Sequence, residues 1–455
     1  MIPSARDIAV WALSDRAENI SASLDRLLGC GGLSSQERAL AHELALGTCR
    51  RRGTLRVVAR AFLTKPDRRL PGALNEILDI ALYQLLFLSR VPDFAAVNEA
   101  VDQAGRYHHR RQSGLVNGLL RTVARNVSPM LTGSPPRSCD VLPVSASSYR
   151  KFSQPVLADP QSDPAGYLSE AFSLPPVLAR RWLEHMGSLD RAVELAMHAS
   201  ARPPLIARVN ALKTEPSKVI TALRAEGVQA TLHANGASVV MDHSNVRELD
   251  VFRAGLIQPQ DPTATAVAQA AAPRPGSKVL DLCAAPGTKT THLAEMMGNQ
   301  GSVLAVDVTE DKLQAIRSNC HRLGISIVET LSSDRLASVP VASFDLVLAD
   351  VPCSNSGVLA RRPEARWRFD ESSLASLVSN QCALLARAAG FVGQGGRLVY
   401  STCSIEPEEC QDVAAHLPTI DARMRLVRQE LTQPFGADDP TAWRDGGYFA
   451  VFEAR

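Results

Sequence analysis

At 455 residues, 45% hydrophobic and 21% charged, the chain is too long for one core and too apolar for a disordered one, so a soluble protein of several domains is expected. No apolar run reaches the ~20 residues needed to span a bilayer; the N-terminus lacks the basic-then-apolar order of a signal peptide, and a net charge of +2 gives no global nucleic-acid signature. Nine cysteines, odd in number and never paired as Cys-x-x-Cys, argue against zinc and against a disulfide framework and fit a reducing cytoplasm.

In chain order, apolar residues at three- and four-residue spacing predict helices from Ala5 to about Asn126, clearest over Leu40–Gly47 and Glu76–Phe87. We assign 1–128 to an all-α bundle. Its first 126 residues hold 18 Lys/Arg against 12 Asp/Glu, concentrated in Arg50-Arg51-Arg52, Arg68-Arg69 and the Arg106-to-Arg111 segment. Solvated helix faces are one account of that excess; a phosphate-binding surface is the other. His108 and His109 have no third ligand nearby in sequence and are read as surface residues. Residues 129–165 are rich in Pro and Ser (Ser134-Pro135-Pro136, Asp159-Pro160) and read as a linker, poorly ordered in part.

Residues 166–260 begin with helices, the first opened by Ser173-Leu174-Pro175-Pro176 with Ser173 as its cap. A small α+β unit follows: strands at Leu205–Val209 and Ser238–Met241, and a helix from Pro216 to Glu226 stopped by Gly227. From 261 to 455, strands alternate with helices in the manner of a doubly wound parallel sheet.

Chemistry concentrates at the predicted strand ends, where open α/β sheets hold their ligands. The strand Ser277–Leu282 runs into Cys283-Ala284-Ala285-Pro286-Gly287-Thr288-Lys289, a small-residue turn that lets a ligand approach helix N-terminal amides. It is neither Gly-x-Gly-x-x-Gly nor a Walker pattern, which disfavours a dinucleotide or a triphosphate. Asp307 ends the next strand, placed for a ribose diol, with a helix cap beside Thr309 as the alternative. Asp334 follows the third strand and suits an adenine amino group or a turn cap. Asp350-Val351-Pro352-Cys353 and Thr402-Cys403 end two further strands, and an acid, a proline and a cysteine together at a strand end are rarely a packing device.

Asp281-Leu282-Cys283-Ala284-Ala285-Pro286-Gly287-Thr288-Lys289-Thr290, Asp350-Val351-Pro352-Cys353-Ser354 and Thr402-Cys403-Ser404-Ile405-Glu406-Pro407-Glu408-Glu409 resemble, in order and spacing, the motifs of the NOL/NOP2/Sun family of RNA 5-methylcytosine methyltransferases. Leu46–Arg50, Leu82–Leu86 and Val116–Arg121 resemble the NusB-like domain that precedes the catalytic part in one subfamily, which acts on a cytosine at position 967 of 16S rRNA. Arg208–Lys213 and Gln260-Asp261-Pro262 are similar to the family's middle region. The resemblance implies a NusB-like RNA-binding bundle, a ferredoxin- or RRM-like α+β domain and a Rossmann-like class I methyltransferase domain.

It also implies S-adenosylmethionine as cofactor, held by Cys283, Ala284, Ala285, Pro286, Gly287, Thr288, Lys289, Asp307, Asp334 and Asp350. Cys403 would be the nucleophile, Cys353 the residue that aids its release, and Asp350 the partner of the base. The expected substrate is 16S rRNA, unassembled or in a partly assembled small subunit, and the expected protein is a monomer that needs neither metal nor membrane. Thr288, Val351 and Asn355 depart from the family pattern, standing for a glycine, an alanine and a small residue, and none removes a group with a chemical role. The run Arg361-Arg362-Pro363-Glu364-Ala365-Arg366-Trp367-Arg368 joins cations to an aromatic, which suits RNA backbone and base stacking at Arg361, Arg362 and Trp367. A salt-bridged helix start is its structural alternative. Two other functions stay open: the same chemistry on tRNA or another rRNA site, and a non-catalytic RNA-binding factor.

Overall fold

The computed structural model describes residues 3–15, 20–29, 32–65, 70–107, 112–242 and 245–455. Arg68-Arg69, His108-His109, Arg110 and Arg111 lie outside the described residues, so their assignment to the surface has no structural counterpart. The chain forms two compact units, 1–202 together with Leu359–Phe369, and 203–358 together with 370–455. No helix among the described residues is long and apolar enough to cross a membrane.

The first unit opens, among the described residues, with the helices α1 (Ala5–Ser14), α2 (Ile20–Gly29), α3 (Ser35–Phe62), α4 (Gly72–Phe87), α5 (Asp93–Arg106) and α6 (Ser113–Arg125). Ser4 with Asp7 and Ser34 with Glu37 form reciprocal caps that satisfy the first amides of α1 and α3. Helix α4 is apolar nearly all round and is the bundle's central element, with Leu74, Ile77, Leu82 and Leu86 fully buried. Gly47 of α3 lets α4 come this close: a Cβ there would lie 2.2 Å from the Tyr83 ring.

Where a linker is expected, the chain instead adds β1 (Leu131–Thr132), β2 (Val141–Ser145) and β3 (Ser148–Lys151), an antiparallel sheet of order β1-β3-β2. Its composition hides its anchors. Leu142 and Phe152 join the bundle core, Arg150 donates to the Leu86 carbonyl (2.9 Å), and Arg51 donates to the Val144 carbonyl (2.9 Å). Helices α7 (Pro164–Phe172), α8 (Pro176–Met186) and α9 (Leu189–Ser200) complete the unit. Ser173 does not cap α8. Its backbone turns left-handed (φ 57°) to end α7, and its buried hydroxyl meets Thr54 Oγ1 at 2.8 Å.

The second unit starts with β4 (Leu205–Val209), α10 (Pro216–Ala225), β5 (Ala230–Leu232), β6 (Ser238–Met241), α11 (Asp250–Arg253) and β7 (Ile257–Pro259), whose strands form an antiparallel sheet of order β5-β6-β4-β7. Then come α12 (Pro262–Ala271), β8 (Lys278–Asp281), α13 (Thr288–Met296), β9 (Ser302–Asp307), α14 (Glu310–Leu323), β10 (Val328–Ser332), β11 (Phe344–Asp350), α15 (Glu371–Ala389), β12 (Val392–Thr402), α16 (Gln411–Ile420), β13 (Met424–Thr432) and β14 (Gly447–Ala454). The seven-stranded sheet has the order β10-β9-β8-β11-β12-β14-β13. Its first five strands are parallel, but β14 runs antiparallel to both β12 and the edge strand β13, so the doubly wound sheet ends in antiparallel pairs. Chain order reverses between β8 and β11, the switch point where such sheets hold ligands.

The stretch 166–260, read from the sequence as one domain, is divided: its helices pack in the first unit and its sheet in the second. Buried polar contacts fix that sheet to the methyltransferase part. Arg208 of β4 pairs with Glu295 of α13, and Asn210 Nδ2 donates to the carbonyls of Gly255 (2.9 Å) and Leu323 (3.0 Å). Arg322 at the end of α14 stacks 3.9 Å over the Phe252 ring.

Candidate active site

Four strand ends build the site. After β8 the chain turns through Cys283–Pro286 to Gly287, whose left-handed backbone (φ 94°) opens α13 with no side chain capping it. First-turn amides left in this way suit an anionic or polar ligand. At the end of β9, Asp307 Oδ2 accepts from the Ala285 amide (2.9 Å), while Oδ1 accepts from the Val308 amide (2.7 Å) and Lys312 Nζ (2.9 Å). Although burial pushes its pKa up, these donors outweigh it and hold the carboxyl below the usual carboxylate range. Asp307 therefore braces the Cys283–Gly287 turn rather than capping α14, whose N-cap is Thr309. Asp334 lies exposed in the 3-10 turn Ser333–Ser338, and the Ser332 hydroxyl beside it lowers its pKa.

Asp350 and Ser401 face each other across the parallel pair β11–β12, and the Ser401 hydroxyl donates to Asp350 Oδ1 at 2.7 Å. Lys289 Nζ, from α13, binds Asp350 Oδ2 at 2.6 Å. Burial opposes the Lys289 charge, but Asp350 outweighs it and leaves the lysine pKa above its ordinary value. Beside them Asp281, 1% exposed, takes a hydrogen bond from Thr290 Oγ1 on Oδ2 (2.7 Å), while its Oδ1 is buried without a partner among the described residues. Burial pushes this carboxyl up to about 7.

The two cysteines singled out in the sequence meet. Cys353 Sγ and Cys403 Sγ are 3.1 Å apart, both half-buried, and the Cys403 thiol donates to Asn355 Oδ1 at 3.2 Å. The hydrogen bond to Cys403, then burial, hold the Cys353 thiol well above its ordinary pKa, so it keeps its proton at neutral pH. Cys283 is also a poor nucleophile: burial, then the acids Asp281, Asp350 and Asp307, push it up to about 12. Under the pair, the fully buried Glu409 accepts from the Ser354 amide (2.9 Å), the Ser354 hydroxyl and Gln381 Nε2 (2.9 Å), fixing the loop that carries Cys353.

Ser401, Asn355, Asp281, Lys312 and Glu409 were not assigned roles from the sequence. The register of β11 on β12 was the available signal for Ser401, since a partner of Asp350 must end the neighbouring strand. Glu409 lies at the end of the quoted Thr402–Glu409 motif, but nothing local shows that it reaches back to Ser354.

The arginine-rich run has another setting. Leu359–Phe369 belongs to the first unit, where Arg366, fully buried, donates to the carbonyls of Arg50 (2.9 Å), Phe172 (3.1 Å) and Ala199 (2.6 Å). Two of these carbonyls lie at the C-terminal ends of α7 and α9, where the helix dipole favours a cation. Burial lowers its pKa to about 9, which leaves it charged at neutral pH. Trp367 Nε1 donates to the Cys49 carbonyl (3.2 Å) with the ring 38% exposed; Arg362 is exposed and Arg361 half-buried.

The family model for 16S rRNA methyltransferase RsmB/F matches residues 268–441, the NusB family model matches 3–125, and the RsmF/B-like ferredoxin-like domain model matches 174–246. "Probable ribosomal RNA small subunit methyltransferase B" of Bacillus subtilis is 30% identical over 90% of this chain and 87% of its own length. The protein of that name from Synechocystis is 33% identical over 89% and 87%. The chain belongs to the 16S rRNA methyltransferase RsmB/F family. The crystal structure of PH0851 shares the fold, with a TM-score of 0.77, 22% identity and coverage of 100% of this chain and 99% of its own. The three domains are thus a NusB domain, a ferredoxin-like domain and a Rossmann-like methyltransferase domain.

Membership makes this an S-adenosylmethionine-dependent RNA methyltransferase. The residues present fit that cofactor. The turn before α13 offers uncapped amides, Asp307 Oδ2 has a lone pair left for a hydroxyl donor, and the orphaned Asp281 Oδ1 is an acceptor at the switch point. Among the described residues no cluster of three or more His, Cys, Asp or Glu is placed to hold a metal ion.

Proposed function

We propose that this protein methylates carbon 5 of a cytosine in 16S rRNA, at position 967 by resemblance, through a covalent bond between Cys403 and carbon 6 of the base. The observation that carries the reading is the 3.1 Å separation of Cys353 and Cys403, with the Asp350–Lys289–Ser401 cluster on the neighbouring strand end. Carbon 5 of cytosine is a weak nucleophile. Addition of the Cys403 thiolate at carbon 6 turns the 5,6 bond into an enamine whose carbon 5 can attack an electrophile. Asp350 accepts from the amino group and from a protonated N3 and so stabilises the protonated ring, which draws electron density as the adduct forms, the proton on N3 balancing the one that Cys403 gives up. Lys289 and Ser401 hold that carboxylate in place.

S-adenosylmethionine supplies, when bound, a methyl group on a positively charged sulfur. Residues 283–289, Asp307, Asp334 and Asp350 would hold it. After transfer, the carbon 5 proton passes to solvent water, the 5,6 double bond re-forms and the Cys403 sulfur departs. Cys353, a thiol at rest and hydrogen-bonded to that sulfur, donates a proton to it.

Both thiols lie at strand ends, so the target base has to be unstacked to reach them, which favours a loop or incompletely assembled rRNA as substrate. Arg361, Arg362 and Trp367, with the NusB domain, would grip the RNA. We infer a cytoplasmic location from membership of an rRNA-methyltransferase family. The test is transfer from methyl-labelled S-adenosylmethionine to protein-free 16S rRNA and, separately, to tRNA, followed by nucleoside analysis. Label in 5-methylcytidine at one 16S rRNA site is expected. Label confined to tRNA would overturn the substrate, and label on an exocyclic nitrogen would overturn the chemistry.

A further inference from the structure

Asn355 is the residue that connects the two cysteines. Its side-chain Oδ1 accepts from the Cys403 thiol (3.2 Å), its Nδ2 donates to the Cys353 carbonyl (2.8 Å), and its backbone amide donates to the Cys353 sulfur. The backbone at this position is left-handed (φ 63°), a conformation that asparagine tolerates better than most residues bearing a Cβ. The small residue expected there from the family pattern has no amide to offer.

We propose that Asn355 is a positioning residue that holds Cys403 aimed at its partner and protonated at rest, so that the nucleophilic thiolate forms only when the active site is engaged. This rests on the assignment of Cys403 as nucleophile. The argument is one of hydrogen-bond polarity. A thiol has a single proton, and Cys403 spends it on Asn355 Oδ1, so the proton between the sulfurs belongs to Cys353. An amide oxygen stabilises the thiol and repels the thiolate, and a hydrogen bond made to the neutral form disfavours ionisation. The amide cannot simply turn its NH2 group to a thiolate, because Nδ2 is engaged by the Cys353 carbonyl. Release of that anchor and ionisation of Cys403 are therefore coupled.

The charged and titratable groups around Cys403 come from three elements besides its own strand. Cys353 and Asp350 come from β11 and the loop after it, Lys289 from α13, and Glu409 from the 3-10 turn before α16. Lys289 favours the thiolate, but Asp350 already pairs with it at 2.6 Å. The Cys353 thiol, donating to the Cys403 sulfur, also favours the thiolate, and the acceptor oxygen of Asn355 opposes both.

The test is the pH dependence of Cys403 alkylation by iodoacetamide in the full-length protein, resolved by peptide mass spectrometry, without RNA or cofactor. Asn355→Gly keeps the backbone geometry and removes the acceptor; its midpoint for Cys403 should fall by about one pH unit, making alkylation at pH 7 about tenfold faster. Asn355→Asp places a carboxylate at the same distance and should move the midpoint upward, slowing alkylation at pH 7 several-fold. A purely structural role would change the plateau rate through access and leave the midpoint alone. Midpoints equal to wild type in both variants would overturn the proposal, as would shifts in the same direction. Because this readout needs no methyl transfer, it is separable from the nucleophile assignment, which fails instead if Cys403→Ala still methylates RNA.

Discussion

Two stretches of this chain carry similar warning signs of function in sequence, and the fold uses them differently. The strand-end loops at 350–355 and 401–404 gather two thiols, a carboxylate and a lysine around one point, with the thiols 3.1 Å apart. The run 361–368 holds four arginines and a tryptophan, yet its central residue, Arg366, is fully buried on backbone carbonyls. Residue type does not separate the two cases; the partners do. Side chains that point at one another across strand ends leave reactive groups to act, whereas a buried guanidinium held by backbone carbonyls, two of them at helix ends, is committed to holding the fold. Within the same run, Arg362 is exposed and Trp367 partly so, which the proposed RNA contact requires.

Substitutions in the two stretches should therefore fail in opposite ways. The largest effect belongs to the strand ends. Cys403→Ala should lose all detectable methyl transfer, and Asp350→Asn should lose about 100-fold or more in kcat, with urea midpoints close to wild type. Comparable activity in Asp350→Asn would show that the carboxylate only pairs with Lys289. Arg366→Met should do the reverse, lowering stability by about 3 kcal/mol by stranding buried carbonyls, read as a lower urea midpoint of the first unit. An unchanged midpoint would break the contrast.

A third effect is pH-dependent. The Asp281 pKa is raised to about 7 when folded, against about 4 in an unfolded chain. The folded state thus keeps a proton that the unfolded state releases, and the stability this confers is present below about pH 4 and lost as pH rises through about 7. Asp281→Asn cannot ionise, so it should gain on wild type over that range by on the order of 1–3 kcal/mol, measured as urea midpoints at pH 4.5 and 7.5. A gap independent of pH would mean that Asp281 does not titrate there. The smallest effect is that of Arg362→Ala: stability within about 0.5 kcal/mol of wild type, with RNA affinity weakened and its salt dependence reduced by about one phosphate contact. Affinity and salt slope equal to wild type would remove Arg362 from the RNA surface.

Much of this was legible in the sequence because the responsible signals are local. Period-3.6 stripes marked α3 and α4, β-branched runs marked β8, β9 and β11, and the strand-end motifs located Cys353, Cys403, Asp307 and Asp350. What escaped depends on contacts distant in sequence. Residues 129–165 read as a linker because prolines and serines dominate them, while Leu142, Phe152 and Arg150 fasten them to the bundle. Ser173 had the composition of a cap but lies where α7 must end, so its hydroxyl went to Thr54. Arg366 binds carbonyls more than 160 residues away, a relation no window of sequence displays. Glu409 reaches Ser354 across 55 residues for the same reason.

The most direct test of the account's central claim is to trap the covalent intermediate. Cys353→Ala protein, incubated with 16S rRNA and S-adenosylmethionine, denatured and digested, should yield an RNA-linked peptide in which the modified residue is Cys403. An adduct on Cys353 in the Cys403→Ala variant, or no adduct from either protein while wild type still methylates the RNA, would contradict it.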